Sequence, residues 1–262
     1  MRERRGAGVG LIAAIAAAGV VVAIISVVIV PRLVAAGWPD AAASPPPRWA
    51  PPVAGAAPSP APSPTTPQPD VAKLVDPGWA AAASRATGIP EKAVLAYAGA
   101  SLLKASTMPS CRLAWTTLAA IGKAESDHGR HGGSSIGADG TVAPPIYGVA
   151  LDGRGVALVH DSDGGAIDGD AAADRAVGPM QLIPQTWRNW HTDGNGDGVE
   201  DPQNIDDAVV ATSNYLCRAS TALDTRIGWR AAIRAYNPAD SYLTRVAVYA
   251  VQYNRAAATV AR

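Results

Sequence analysis

Glu125 is the residue whose type and position most clearly point to acid–base chemistry. The chain has four glutamates. Glu3 lies ahead of a long apolar segment, and Glu200 lies in an acidic loop. Glu91 falls in a predicted first helical turn, where a carboxylate suits the helix dipole. Glu125 alone follows an amphipathic segment, and it is therefore the candidate general acid.

The segment before Glu125 has the spacing of one apolar helix face. Cys111, Trp115, Leu118 and Gly122 follow at intervals of 4, 3 and 4 residues, and Glu125 is the next step. A carboxyl group at the end of an apolar stripe is partly desolvated. Desolvation raises its pKa, and a raised pKa suits a general acid near neutral pH. Gly122, one turn earlier, leaves room for a ligand. The alternative is a carboxylate at a helix end that simply reaches solvent.

Residues 193–201 form an acidic, glycine-rich loop with the ligand spacing of a calcium site. Side-chain oxygens occur at positions 1, 3, 5 and 9 and glycine at position 6, as at the start of an EF-hand loop. Position 12 holds Asn204 in place of the usual acid, but Asp207 at position 15 can serve if the loop is longer. An unliganded turn is the alternative. We expect a structural calcium ion bound by Asp193, Asn195, Asp197, the backbone carbonyl of Val199, and Asp207.

Cys111 and Cys217 are the two cysteines of the chain. In an oxidising compartment an even pair indicates a disulfide. This one would close a loop of about a hundred residues, worth roughly 4–5 kcal/mol in the chain-entropy model. Two free thiols and half of a metal site are the alternatives, although no CxxC motif or histidine cluster supports a metal. We expect the disulfide.

The elements that would carry these residues are mostly helices. Ile89-Pro90-Glu91 predicts a helix start with proline in the first turn, and Ser110 can cap a second helix that ends at Ser126. Residues 129–174 are rich in glycine and aspartate and predict loops with a short hairpin. Further helices are predicted from Pro184, from Asp206 or Asp207 to Arg218, and over residues 229–236 and 241–258.

Composition divides the chain ahead of these helices into three parts. Residues 8–30 carry no charge and can cross a hydrocarbon core of about 30 Å as a helix. Three arginines in the preceding tail, residues 1–7, predict a cytoplasmic N-terminus and a single-pass protein whose remainder is periplasmic or extracellular. A cleaved signal peptide, which gives a secreted protein, is the alternative. Residues 31–70 predict a disordered Pro/Ala-rich linker, and residues 71–262 the folded domain.

The charge balance excludes one class of partner. Lysine and arginine total 22, as do aspartate and glutamate, so the formal net charge is zero. Nucleic-acid-binding domains usually carry a basic patch, and we expect no nucleic-acid partner. We expect the protein to be a monomer.

Three segments in this order resemble the lytic transglycosylases of the lysozyme-like superfamily. Glu125-Ser126 ends a predicted helix, residues 178–184 have the pattern Gly-x-Met-Gln-x-x-Pro, and Ala235-Tyr236-Asn237 follows. The resemblance is to the B-type family and its actinobacterial relatives, which residues 161–170 also resemble. It extends over about residues 75–255.

The resemblance implies a mainly α, α+β lysozyme-like fold, with a helical catalytic domain and a loop-rich insertion. Glu125 would be the single catalytic acid/base and Gln181 would contact the glycan. Tyr236 and Asn237 would position the sugar. The B-type relatives also have a lengthened calcium loop that ends in an aspartate. We further expect Tyr147 to line the cleft.

The implied reaction cleaves the β-1,4 bond between N-acetylmuramic acid (MurNAc) and N-acetylglucosamine (GlcNAc) in peptidoglycan. Glu125 would protonate the glycosidic oxygen and then take a proton from the C6 hydroxyl, so that a 1,6-anhydro ring closes without water. No cofactor is needed for this catalysis. A lysozyme-like muramidase that uses water and a non-catalytic peptidoglycan-binding envelope protein are the alternatives. One departure is Ala172, where some B-type members carry a cleft serine.

Overall fold

The computed structural model describes residues 49–51, 56–61 and 70–260. Over these residues the chain is mainly α-helical with four short strands, which agrees with the expected mainly α fold. The helices are α1 (Pro77–Thr87), α2 (Glu91–Thr107), α3 (Trp115–Ser126), α4 (Pro184–Trp190), α5 (Ile205–Ala219), α6 (Arg226–Tyr236) and α7 (Asp240–Ala257).

Helix α3 forms the centre of the domain and carries Glu125 in its last turn. Every residue from Trp115 to Gly122 is buried, because α3 packs against both α2 and α7. The apolar stripe of Trp115 and Leu118 faces the core, as its spacing predicts. Glu125 lies where this stripe reaches the edge of the core.

The start of α3 differs from the prediction. The helix begins at Trp115 and not after Ser110, so Cys111 lies in the preceding turn and not on the helix face. Arg112 has a φ of 51° and Ala114 is extended. Neither conformation is helical, and together they prevent the helix from extending back to Ser110.

The cap of α5 and the presence of α1 also differ from the prediction. Asn204 is the N-cap of α5, and its side chain accepts the N–H of Asp206, so Asp206 and Asp207 lie in the first turn. Helix α1 was not predicted, although Asp76 is a favourable N-cap whose carboxylate accepts the N–H of Trp79.

Two small antiparallel sheets lie between α3 and α4. Strands β1 (Ser135–Ile136) and β2 (Val142–Ala143) form the short hairpin that composition predicts. Strand β3 (Tyr147–Ala150) pairs with β4 (Arg175–Val177), and Tyr147 lies opposite Val177. Since β4 ends just before Gln181, this pairing brings β3 to the same region of the domain.

Part of the predicted linker packs on the helical domain. Trp49 is buried, and its ring stacks on Trp229 of α6 with 5.1 Å between centroids. Ala56 is also buried, and its carbonyl accepts a hydrogen bond of 2.7 Å from Nε1 of Trp115. We call residues 49–51 and 56–61 the strap. Composition assigns the strap to a spacer, yet Trp49 and Ala56 belong to the core.

Cys111 and Cys217 form the expected disulfide, with 5.3 Å between their Cα atoms. The bond joins the turn before α3 to the C-terminal part of α5. It closes a loop over a sequence separation of 106 residues that includes both sheets.

Among the described residues, no helix is both long enough and apolar enough to cross a bilayer. The predicted membrane segment, residues 8–30, lies outside the described residues, as do the N-terminal tail and much of the predicted linker.

Candidate active site

Glu125 is partly buried in the last turn of α3. The helix ends at Asp127, which adopts the left-handed conformation with a φ of 52°, and His128 follows with a φ of 60°. The N–H of His128 donates to the carbonyl of Gly122, so two successive left-handed residues close the C-terminal end of α3. Glycine usually occupies a left-handed position at a helix end. The chain therefore turns sharply within three residues of Glu125.

Tyr242 of α7 holds the Glu125 carboxylate. Its hydroxyl donates a hydrogen bond to Oε1 of Glu125, with 2.5 Å between the oxygens. The ring is buried and stacks on Tyr236. Burial and the negative charge of Glu125 raise the pKa of Tyr242 well above its usual value, so the hydroxyl keeps its proton and stays a donor. Tyr242 was not predicted from sequence. The available signal was an aromatic residue in the first turn of the helix that follows Asn237.

Hydrogen bonds join the three predicted motif segments into one site. Oγ of Ser126 donates to the carbonyl of Pro179 at 2.6 Å, and the hydroxyl of Tyr236 donates to the carbonyl of Met180 at 2.5 Å. These two carbonyls immediately precede Gln181. The ends of α3 and α6 therefore fix the turn that carries Gln181 beside Glu125.

Gln181 is partly exposed and lies against β3. It has a φ of 49°, and its Nε2 donates to the carbonyl of Gly178. A Cβ atom on Gly148 would lie 3.0 Å from Oε1 of Gln181, and the neighbouring Tyr147 is 47% exposed. Gly178 admits no side chain, since its Cβ would lie 1.8 Å from the carbonyl oxygen of Pro202. The structure thus brings Gln181 and the strand with Tyr147 together.

Tyr236 and Asn237 are both buried. The Tyr236 hydroxyl donates its hydrogen bond to the Met180 carbonyl, and Oδ1 of Asn237 accepts the N–H of Ala239 just before α7. Here the two residues support the turn with Gln181 and the helix with Tyr242. Their predicted contact with a sugar stays a prediction.

Asp127 is the acidic residue nearest to Glu125 in sequence, and two basic side chains form ion pairs with it. Lys123 and Arg130 both form ion pairs with Oδ1 of Asp127. Burial opposes the charged form, but hydrogen bonds from Lys123 and Arg130 outweigh burial and lower the pKa of Asp127. Asp127 is therefore an ionised residue that stabilises the end of α3.

A neutral histidine lies beneath the end of α3. Nδ1 of His128 is 3.1 Å from the hydroxyl of Tyr97 on α2, and Nε2 is 2.8 Å from the hydroxyl of Tyr253 on α7. Burial, assisted by the positive charge of Arg130, lowers the pKa of His128 to about 3. His128 therefore links α2 and α7 to the turn that follows Glu125.

Gly122 makes room for Tyr97 and not for a ligand. A Cβ atom on Gly122 would lie 2.0 Å from the Tyr97 hydroxyl oxygen. The expectation that Gly122 lets a ligand approach is wrong, because this side chain fills the space.

The loop that begins at Asp193 is closed by hydrogen bonds to carboxylates. Both oxygens of Asp193 accept N–H groups of the loop itself. Asp207 is fully buried, and its two oxygens accept the N–H groups of Gly194 and Asp201. Burial raises the pKa of Asp207 to about 7. Oδ1 of Asp193 accepts two of these hydrogen bonds, but Oδ2 accepts one and keeps another lone pair, so Oδ2 still fits a hard cation.

Three aspartates near residue 165 lie close together. One carboxylate oxygen each of Asp161, Asp163 and Asp174 lies within 4.8 Å of the other two, and no other set of three or more His, Cys, Asp or Glu side chains in the described part of the chain meets this distance. Ser162 donates both its N–H and its hydroxyl to Asp174. The predicted calcium ligands are not in this group.

Residues 165–245 match the family model of the transglycosylase SLT domain. The matched segment, about a third of the chain, contains Gln181, Tyr236 and Tyr242 and begins after Glu125. Comparison with curated proteins and with solved structures gave no significant match. The family match, on segments that meet at Glu125, supports a relationship of this chain to the lytic transglycosylase and lysozyme-like family, whose domain acts on peptidoglycan.

Proposed function

We propose that this protein is a lytic transglycosylase that cleaves the MurNAc–GlcNAc β-1,4 bond of peptidoglycan and forms 1,6-anhydroMurNAc. The observation that carries the proposal is the hydrogen bond from Tyr242 to the partly buried carboxylate of Glu125, beside the turn that holds Gln181. A carboxylate oriented in this way at the end of a helix can exchange a proton with a bound sugar bridge. The family match supports peptidoglycan as the substrate.

Glu125 acts first as an acid. Its proton passes to the glycosidic oxygen, the bond from that oxygen to C1 of MurNAc breaks, and GlcNAc leaves with a new hydroxyl. The carbonyl oxygen of the substrate's own N-acetyl group bonds to C1 and takes up the positive charge. Most glycosidases use a second carboxylate at this step. Asp127 is unsuited to that role because Lys123 and Arg130 hold it.

Glu125 then acts as a base. Its carboxylate removes the proton of the C6 hydroxyl on the same MurNAc, and the C6 oxygen forms a bond to C1. The acetamido oxygen is released, the anhydro ring closes, and no water is consumed. The proton that Glu125 gave to the leaving group has been replaced, so the enzyme is ready for another turnover.

The central test is the substitution Glu125→Gln in the full chain. The amide cannot transfer a proton, so we expect loss of peptidoglycan cleavage with unchanged thermal unfolding. Asp127→Asn is the matched control, since it makes the same chemical change two residues away and should keep most of the activity. Full activity of Glu125→Gln would refute the proposed role.

Product mass separates the proposed reaction from the two alternatives. An anhydro end is lighter than a hydrolysed end by one water, so mass spectrometry of digested glycan strands distinguishes transglycosylation from muramidase hydrolysis. Binding to peptidoglycan without any cleavage would instead indicate a non-catalytic envelope protein.

We also propose that the loop from Asp193 to Asp207 binds a structural calcium ion. The donor set consists of hard oxygens from Asp193, Asn195, Asp197 and Asp207 and the carbonyl of Val199. Calcium should bind in a calorimetric titration and raise the melting temperature, and Asp197→Ala should weaken both effects. A titration without heat would end this proposal. The catalytic steps above need no metal.

The proposed location is the outer side of the cytoplasmic membrane. Residues 8–30 would span the membrane with the N-terminus inside, and the folded domain would meet peptidoglycan as a monomer. The disulfide between Cys111 and Cys217 supports an oxidising compartment. Extraction with carbonate and protease protection of the domain in intact spheroplasts test this location.

A further inference from the structure

Helix α6 presents a basic face to solvent. Arg226, Arg230 and Arg234 are all exposed. With 3.6 residues per turn, these three side chains lie within an arc of about 80° around the helix. Gly228 and Ala232, on the opposite side of the helix, are buried. The arginines therefore form one stripe that points away from the domain.

Few acidic groups neutralise this stripe. Arg234 pairs with Asp240, and Asp224, just ahead of the helix, pairs with Arg112. Within residues 70–260, no acidic side chain forms an ion pair with Arg226 or Arg230. The face consequently keeps a net positive charge next to solvent.

An aliphatic side chain lies in the same face. Ile227 is 83% exposed, the highest value among the large hydrophobic residues that the structure describes. A single exposed aliphatic residue is ordinary on a protein surface. Beside a row of arginines, however, an exposed isoleucine can enter the headgroup region of a membrane while the arginines contact lipid phosphates.

The strap indicates which side of the domain lies toward the membrane. Trp49, the first described residue, stacks on Trp229 of this helix. Residues 31–48 separate Trp49 from the proposed membrane segment, and they reach at most about 60 Å when fully extended. With the proposed location, the described chain begins against α6, and the preceding residues are numerous enough for this helix to reach the bilayer.

We propose that the exposed face of α6 binds an anionic phospholipid surface. Arg226, Arg230 and Arg234 contact lipid phosphates, and Ile227 inserts among the headgroups. This contact rests on the proposed location but not on the proposed chemistry. Because α6 ends at Tyr236, it would fix the orientation of the active site relative to the membrane.

The test uses the full chain in nanodiscs of phosphatidylcholine alone or of equimolar phosphatidylcholine and phosphatidylglycerol. Hydrogen exchange of the α6 peptide should slow about tenfold in the anionic discs. Arg226→Glu with Arg230→Glu should abolish the slowing. Arg85→Glu with Arg255→Glu, an equal charge change on α1 and α7, should leave it intact. If the chain does not enter discs, the same comparison is made with vesicles of the two compositions.

Three results would overturn the proposal. These are equal exchange in the two lipids, slowing that persists in the Arg226 and Arg230 variant, and slowing caused by soluble polyphosphate but not by lipid, which would identify an anionic polymer as the partner. Peptidoglycan cleavage is measured on the same samples. Lipid contact without cleavage would reject the catalytic proposal alone.

Discussion

The Glu125 carboxylate has to give and receive a proton within one turnover, so its orientation must stay constant while its charge changes. A buried tyrosine is suited to this, because Tyr242 has too high a pKa to lose its proton in either state. Its ring is fixed between Tyr236 and Arg245, and its hydroxyl can therefore hold Oε1 in one place. A neutral donor of this kind stabilises the carboxylate without competing as an acid.

Tyr242→Phe should lower kcat on the order of 10–100-fold, because a misplaced carboxylate loses its alignment with the sugar bridge. KM should change little, since the buried ring offers the substrate almost no surface. Tyr215→Phe is the matched control. It removes another hydrogen-bonded hydroxyl that packs on Tyr236 but bonds to the Ala235 carbonyl. Equal kinetic losses in the two variants would show that only packing matters.

His128 gives the domain a predictable sensitivity to acid. Its pKa is about 3 in the folded protein and about 6.5 in an unfolded chain. Below pH 6.5 the unfolded state therefore binds more protons, and the stability that comes from a neutral His128 is lost as the pH falls toward 3. Above pH 6.5 that contribution is fully present.

His128→Gln should flatten this acid limb. Between pH 6.5 and 4.5 the native protein should lose up to about 2–3 kcal/mol of unfolding free energy through His128, and the variant should lose less. Denaturant unfolding at several pH values measures the slope. His131→Gln, which changes an exposed histidine three residues away, should keep the native slope. An unchanged slope in His128→Gln would contradict the assignment.

At the scale of elements, sequence periodicity predicts where a helix occurs more accurately than the residues at which it begins and ends. The predicted helices over residues 229–236 and 241–258 correspond closely to α6 and α7. Periodicity places the start of α3 too early, because the spacing of Cys111 and Trp115 continues the helical period across a turn. That turn depends on the left-handed Arg112 and on a disulfide to a distant helix, and neither is visible in a local pattern.

The proximity of the candidate site segments was predictable where they are short motifs. Glu125 and Gln181 come from segments that the structure joins through Ser126 and Pro179. Tyr242 and His128 depend instead on how α3 packs between α2 and α7. Such packing sets distances between residues more than a hundred positions apart, which spacing along one segment does not encode.

The contact between α2 and α3 makes a prediction at Gly122. Gly122→Ala should cost about 1–3 kcal/mol of unfolding free energy, since the new Cβ would meet the Tyr97 hydroxyl at 2.0 Å. Tyr97→Phe should recover part of this loss in a double-mutant cycle. Gly78→Ala, in α1, should cost much less, because its Cβ would lie 3.2 Å from Oδ1 of Asp76, and a shift of a few tenths of an ångström relieves this contact. Additive effects at Gly122 and Tyr97 would argue against the clash.

Two connections join parts of the described chain that are distant in sequence. The disulfide joins the turn before α3 to α5, and the strap packs on α3 and α6. The strap contacts the central helix that carries Glu125, and the disulfide lies in the turn immediately before that helix. The strap is the weaker of the two, because it is held by one ring stack and a few hydrogen bonds, and we expect it to detach before the domain unfolds.

Removing the stacked ring should therefore loosen the strap before it unfolds the domain. Trp49→Ala loses an aromatic pair and its buried area, and we expect a decrease of about 1–3 kcal/mol in unfolding free energy, or roughly 3–10 °C in Tm. Limited proteolysis should cut within residues 50–61 at protease concentrations that spare the native chain. Trp49→Phe keeps a ring on Trp229 and should restore most of the resistance. If Trp49→Ala is cut no faster than the native chain, the strap is not held by this stack, and its path would give no information on the side of the domain that faces the membrane.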